Sequence, residues 1–357
     1  MGEPSRSETP QAAPTLAGFV ADVWAPRARR RLAPKTWERD AVVYRKHIWP
    51  QLGDQPLAAL DIEDLAVWQE TLEANGVGEP TIAKAIGILS SIFCEAARRP
   101  RSTGVKGNPV ALLEKPRTKR RRHPLVWGPI VVERVRRELL INSRRIGSTG
   151  ELAAQRDALL VSLMTMTGCR PGEALALRWS DIGARIAITR RLSGKEIVAE
   201  TKGGGDRSVP VLAPLHADLA ALRELSSDRS DDHLFRTTAG RHWVETDWRN
   251  YRRRHFVPAL CRVEAEWEAW RQTLPDPDTV RESVTGLAAT RPYDLGRHTH
   301  SALMLASGMS LQRLARIQGH GIRVLDESYS EQLAEFEERA APIDPVEEIE
   351  AARRLVI

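Results

Sequence analysis

Apolar residues recur every third or fourth position along most of this chain and alternate singly only in one short stretch near its middle. After Pro80-Thr81, the residues Ile82, Ile86, Leu89, Phe93 and Ala96 predict a helix with one buried stripe. Leu65, Trp68 and Leu72 mark another, capped by Asp61, with Asp64 in its first turn, and stopped by Gly76. Pro34 suits the first turn of a helix running from Lys35 to Ile48. Glu151 to Thr167 predicts a strongly apolar helix that Gly168 breaks. The period then changes. Ile182, Ile186 and Ile188 read as a strand, Lys195 to Lys202 as a second and Ser208 to Leu212 as a third. Gly203, Gly204 and Gly205 would turn the chain, with Lys202 exposed at that turn. Helical spacing returns after Pro214, with a basic helix over Asp247 to Leu260. Residues 264–290 show no clear period, although Trp267 and Trp270 suggest a packed helix. Near the end, Ala302, Leu303, Leu305 and Ala306 form an apolar helix that Arg297-His298-Thr299 opens and Gly308 stops. Ser310 caps the next, with Leu311, Leu314 and Ile317 on one face and Gly319 at its end. The pattern predicts a mainly α protein with a small antiparallel β-sheet, α+β in class.

The 357 residues suffice for two or three domains with their own cores. With 42% hydrophobic and 28% charged residues, the composition is that of a globular protein, and no apolar run is expected to reach membrane-spanning length. The stretch MGEPSRSETPQAAP lacks the apolar core of a secretory signal and reads as a disordered tail, residues 1–14. A helical domain over 15–115 and a second domain over 125–357 would be joined by a basic linker, 116–124, in the run KPRTKRRRHP. Cys94, Cys169 and Cys261 show neither metal-ligand spacing nor a pairing pattern, which fits a cytoplasmic protein.

A net charge of +6 points towards a polyanion, and its distribution is more telling than its sum. Basic residues crowd the first domain and the linker, whereas the C-terminal tail is acidic. Lys35, Lys84 and Arg252 on helices, with Arg117, Lys119, Arg120, Arg121 and Arg122 in the linker, are candidates for gripping DNA phosphates. Each would equally suit an ordinary solvated surface.

The chemistry is concentrated in PYDLGRHTHSALMLASGMSLQRLARIQGHGIRVLDESY, which carries Arg297, His320 and Tyr329. A phenol, with a pKa of roughly 10, needs a concentrated positive environment to attack near neutral pH. Arginine's planar fork matches the two non-bridging oxygens of a phosphodiester, and histidine moves protons at physiological pH. Upstream, TGCRPGEALALRW places Arg170 at a helix N-terminus, where backbone N–H groups also favour anions, with Glu173 in that helix's first turn. Together these groups suggest phosphoryl transfer to a tyrosine.

The order Arg170, Lys202, Arg297, His320, Tyr329 resembles the catalytic set of the tyrosine recombinases, the phage-integrase family that includes Xer-like enzymes. TGCRPGEALALRW is similar to that family's first arginine box, TKGGGDRSVPV to its lysine hairpin, and RHTHSALMLASG with IQGHGIRVLDESY to its second box. The resemblance covers the chain from about Thr15 to Tyr329 and implies a helical, SAM-like core-binding domain plus a catalytic domain, closing as a C-shaped clamp on duplex DNA. It implies that Tyr329 attacks a scissile phosphate, leaving a 3′-phosphotyrosyl bond, while Arg170 and Arg297 clamp the phosphate. Lys202 would protonate the leaving 5′ oxygen, His320 would assist, and Glu173 would orient Arg170. No metal, ATP or other cofactor is implied. The expected partners are double-stranded DNA, a homotetramer on two recombination sites and an accessory or directionality factor, with no membrane.

One departure stands out. The family usually places a histidine, sometimes a tyrosine or lysine, three positions before the second arginine. Gly296 is an extra residue here, so Asp294 occupies that position and Tyr293 lies four before. Tyr293, brought in by a local bulge at Gly296, is the favoured stand-in and Asp294 the second. The resemblance also implies that a C-terminal segment, Ala340 to Ile357, docks into a neighbouring subunit, the alternative being a frayed amphipathic tail. Two rival functions share the pattern: a type IB topoisomerase, and a catalytically inactive DNA-binding regulator.

Overall fold

The computed structural model describes residues 13–114, 116, 125–145, 150–199, 205–227, 229–319, 321–323, 325–329 and 342–356. Lys202, His320, Arg117, Lys119, Arg120, Arg121 and Arg122 lie outside the described residues. The chain divides into two compact units, Met1–Arg121 and Arg122–Ile357. Among the described residues the architecture is mainly helical, with two small two-stranded antiparallel sheets in the second unit.

In the first unit the Ile62–Ala74 helix begins at Asp61, whose carboxylate accepts from the N–H groups of Glu63 and Asp64 at 2.8 and 3.0 Å. Asp64 reciprocates to the Asp61 N–H, so this capping box contributes about 1 kcal/mol. The Glu79–Ala97 helix buries Ile82, Ile86, Leu89, Phe93 and Ala96. By length and composition this 19-residue helix could cross a membrane, against the expectation from sequence. Its apolar stripe is instead spent on the core of its own unit, with Leu16, Phe19, Trp24 and Trp68.

Four π-helical turns interrupt the described helices: Val20–Trp24, Tyr44–Ile48, Arg252–Phe256 and Asp294–His298. Pro26, Pro50 and Pro258 follow the first three. Each proline lacks an N–H for the carbonyl four residues back and crowds it, and the helix widens locally instead of stopping. Glu245–Tyr251 therefore runs through its π turn into Val257–Arg271, absorbing the first part of the segment with no legible period. The fourth turn has no proline. At Gly296 a Cβ would lie 2.5 Å from Met164 Cβ, so only glycine lets this turn press onto the Glu151–Thr167 helix.

That helix is the axis of the second unit and is buried on all sides from Ala158 to Thr167. It packs against Pro129–Arg145, Ala213–Leu225, the Asp294–His298 turn and Thr299–Ala306. β1 (Arg185–Ile188) pairs antiparallel with β4 (Arg207–Pro210), Ile186 facing Val209. β2 (Arg191–Ser193) pairs with β3 (Glu196–Val198), Ser193 facing Glu196. The tight reversal between β2 and β3 is at Gly194-Lys195, because their register leaves only those two residues between the strands; Gly203 and Gly204, expected to turn the chain, lie outside the described residues.

The Pro345–Val356 helix buries Ile349, Ala352 and Val356 and packs on Pro129–Arg145 of the same chain. Arg353 fastens it, donating to Asp218 Oδ2 at 2.6 Å, Glu133 Oε1 at 3.3 Å and the Pro214 carbonyl at 3.0 Å. The segment expected to dock into a neighbour thus covers its own unit here, where two buried carboxylates require its guanidinium.

Candidate active site

Arg170 stands at the head of the short Pro171–Ala174 helix. Glu173 closes back on it, accepting from the Arg170 backbone N–H at 2.8 Å and from Nη1 at 3.0 Å. The same carboxylate takes two bonds from Arg207 on β4, Nη1 to Oε1 at 3.2 Å and Nη2 to Oε2. Burial alone would raise the Glu173 pKa, but the bonds and charges of Arg207 and Arg170 outweigh it and hold the carboxyl below its usual range. Glu173 is thus an anion shared by two guanidiniums. Arg207 was missed by the sequence reading; its only signal was its place at the start of a strand in TKGGGDRSVPV.

Arg297 comes to the same place from the other side of the unit. Its Nη1 donates to the Gly168 carbonyl at 2.5 Å and its Nη2 to the Gln318 carbonyl at 2.6 Å, while Arg170 Nη2 donates to the carbonyl of the next residue, Gly319, at 3.2 Å. Two arginines 127 positions apart in sequence therefore hold adjacent peptide groups. Burial, then the charge of Arg170, pushes Arg297 down to about 10, which leaves it cationic at neutral pH. Its Nε is buried and has no hydrogen-bond partner among the described residues. Gly168 makes this approach possible: it has φ +63, and a Cβ there would meet His300 Cδ2 at 2.5 Å and Gln318 Nε2 at 2.8 Å. His300 anchors the Thr299–Ala306 helix through Nδ1 to the Thr165 carbonyl at 2.9 Å, and burial pushes its pKa down to about 4.

Arg297 does not open a helix, as the sequence suggested. It lies within the π turn, continuous with Pro292-Tyr293 before it and Thr299–Ala306 after it. A π turn takes in one extra residue without breaking the helix, and Gly296 is where this chain carries one. Half-buried Tyr293 precedes the turn, its ring edge-on to His298 with centroids 5.1 Å apart and the Arg297 guanidinium 6.0 Å from its centre. Asp294 is held by Arg291 through two bonds of 2.7 and 2.8 Å and lies 3.7 Å from His298 Nε2.

Tyr329 lies at the end of the helical stretch 325–329 and is 2% exposed. Its hydroxyl is hydrogen-bonded to His298 Nδ1. Burial raises the phenol pKa, and a hydrogen bond with Ser301 and then the nearby Arg297 charge lower it in part. His298 carried no site role in the sequence reading, where it figured only as part of a helix start. By contrast, Tyr251 is buried and donates to the Asp157 carbonyl at 3.2 Å, and Tyr44 belongs to the first unit.

Of the proposed phosphate-gripping residues within the described region, Lys35 and Arg252 are exposed, whereas Lys84 pairs at 2.7 Å with the buried Asp40. That pairing gives Lys84 a structural duty in its own unit.

The profile of the phage integrase family matches residues 137–324, more than half the chain, and that of the phage integrase N-terminal SAM-like domain matches residues 18–72. This protein belongs to the phage integrase family. As a tyrosine recombinase it is similar to two curated relatives described as tyrosine recombinase XerC. The one from Rhodospirillum centenum is 31% identical over 173 residues, 48% of this chain and 45% of that protein. The one from Methylobacterium sp. is 30% identical over 200 residues, 54% of this chain and 57% of that protein. The chain thus spans about half the length of the curated relatives it matches. Among solved structures, the Tn1549 transposon integrase in complex with transposon right end DNA has a TM-score of 0.62 at 17% identity, covering 92% of this chain and 100% of that one. A lambda integrase dimer bound to a core site has a TM-score of 0.61 at 15% identity, covering 93% of this chain and 99% of that one. At these identities the likeness is one of fold.

Proposed function

We propose that this tyrosine recombinase is a site-specific DNA strand transferase that breaks and rejoins duplex DNA through a 3′-phosphotyrosyl intermediate. Tyr329 is the nucleophile, and Arg170 and Arg297 hold the scissile phosphate. The observation that carries the reading is the meeting of those two guanidiniums on the adjacent carbonyls of Gln318 and Gly319, in the region from which Arg297 acts electrostatically on Tyr329. A phosphodiester entering there would accept charge-assisted hydrogen bonds worth roughly 1.5–3 kcal/mol each. Preorganised positive charge of this kind supplies most of the catalysis in phosphoryl transfer.

Glu173 holds both Arg170 and Arg207 against their mutual repulsion and orients the first. Tyr293 takes the place of the usual histidine beside the second arginine. Lys202 and His320, carried over by resemblance, serve as the acid for the leaving 5′ oxygen and as an aid to proton transfer. Exchange of one phosphodiester for a phosphotyrosyl link conserves bond energy, so the reaction as proposed needs no ATP. Duplex DNA is the partner we assign, gripped in part by Lys35, Arg252 and the basic linker, and a tetramer on two sites is the assembly. A lambda integrase tetramer bound to a Holliday junction shares this fold with a TM-score of 0.59 at 14% identity. We place the protein in the cytoplasm, in keeping with its three free cysteines.

The test is a covalent-adduct gel on nicked duplexes cut from the DNA flanking the gene. Wild-type chain is expected to become linked to the 3′ phosphate and Tyr329→Phe to bind without linking. An undiminished adduct with Tyr329→Phe refutes the assignment.

A further inference from the structure

Tyr329 needs to lose a proton as it attacks, and its burial makes the free phenolate costly. Its hydroxyl is in contact with Nδ1 of His298, and the Ser301 side chain also hydrogen-bonds it. That ring is itself well buried, which pushes its pKa down to about 4 and keeps it neutral, so one ring nitrogen accepts and the other donates. The Asp294 carboxylate, 3.7 Å from Nε2, favours the tautomer with its proton on Nε2. Nδ1 then carries the lone pair and the phenol is the donor. Arg291 fixes the carboxylate with two bonds, 2.7 and 2.8 Å. The π turn sets the spacing, bringing Asp294 and His298 onto one side of the widened helix while Arg297 reaches Gly168 and Gln318. Among the described residues, the charged or titratable groups around the ring are Asp294, Arg297 and Tyr293 of its own helix, Arg291 just before that helix, and Tyr329 of the later one.

We propose that His298 is the general base that takes the phenolic proton from Tyr329 as it attacks DNA, with Asp294 and Arg291 as its positioning residues. The inference rests on the reading of Tyr329 as nucleophile. In the step, Tyr329 Oη forms a bond to phosphorus and the bond from phosphorus to the 5′ oxygen breaks. The phenolic proton passes to His298 Nδ1, and the leaving oxygen takes a proton from the acid assigned to Lys202. The imidazolium forms beside Asp294, which stabilises it in the way a buried carboxylate supports a catalytic histidine. On rejoining, His298 returns the proton to the departing phenol.

Two substitutions separate proton transfer from mere positioning. His298→Asn keeps an acceptor near Nδ1 but cannot take up a proton at neutral pH; His298→Ala removes both. Both are expected to slow single-turnover cleavage of the nicked flanking duplex by about 100-fold or more, with DNA binding retained in a gel shift. A duplex with sulfur as the bridging 5′ atom, whose leaving group needs no acid, is expected not to restore either variant, because the defect lies on the nucleophile. Near-wild-type cleavage by His298→Asn, or rescue by the sulfur duplex, overturns the proposal. If Tyr329→Phe still forms an adduct, the reading of Tyr329 fails as well. If Tyr329→Phe is inactive while His298→Asn cleaves normally, only the role of His298 fails. Should both variants misfold, nitrogen NMR of the wild-type chain labelled in its histidine rings decides: an unprotonated, hydrogen-bonded Nδ1 is required, and a proton on Nδ1 overturns the proposal.

Discussion

Arg207 and Glu173 form a two-pronged ion pair inside the second unit, with side chains only 7% and 1% exposed. Glu173 is also the partner of Arg170, so one carboxylate sets the position of two guanidiniums. Removing the anion would leave Arg207 buried without compensation. Glu173→Ala is expected to cost roughly 3–5 kcal/mol of stability, read as a lowered urea midpoint, and Glu173→Gln less because its carbonyl oxygen still accepts.

Arg170→Ala is expected to abolish covalent-adduct formation while weakening duplex binding only slightly, since one phosphate contact among many contributes little to total affinity. Adduct gels and gel shifts on the same duplex check this; a large binding loss with normal cleavage would contradict it.

Gly296 is packed so that any Cβ would collide with Met164. Gly296→Ala is expected to destabilise by about 1–3 kcal/mol or more through overpacking and to lower cleavage by shifting Arg297 and His298. Deleting Gly296 removes the extra residue that the π turn accommodates, and cleavage should be lost although the chain still folds. Circular dichroism and adduct gels measure the two effects separately.

Acid should weaken this fold in a defined window. Burial holds His298 and His300 at about 4, against 6.5 for a free imidazole. Between those values the unfolded chain binds more protons than the folded one, so these two rings make stability fall as pH drops from about 6.5 towards 4, and their contribution levels off below. Each ring accounts for on the order of 3 kcal/mol. Urea midpoints across the window check the slope, which should be shallower in His300→Gln than in wild type.

Arg353 ties the last helix to Glu133 and Asp218. Arg353→Ala leaves two buried carboxylates with less compensation and is expected to free that helix, seen as faster proteolysis near the C-terminus. Its cost should be a few kcal/mol, about 3–5 by analogy with other broken buried pairs.

Helix limits were legible because their causes are local. Asp61 and Ser310 cap where their side chains meet nearby N–H groups, and Gly168 and Gly319 stop helices in left-handed conformations. The Ile82 to Ala96 stripe repeats at the helical period, and it is buried as that period requires. Prolines were harder to read: the helix expected over Asp247 to Leu260 takes Pro258 in its interior, and the π turn Arg252–Phe256 that accommodates it was not legible in the spacing.

The sequence by itself determined the mainly helical class, most helix boundaries and the family to which the chain belongs, because caps, periods and motif order are written in neighbouring residues. Only the tertiary structure decided that Arg207 shares Glu173 with Arg170, that His298 faces Tyr329 from 31 positions away, that the hairpin reverses at Gly194 and that the last helix covers its own unit. Those outcomes depend on which side chains a packed interior brings within a few ångströms, and on which buried charge finds its partner there. No local window of sequence contains that information.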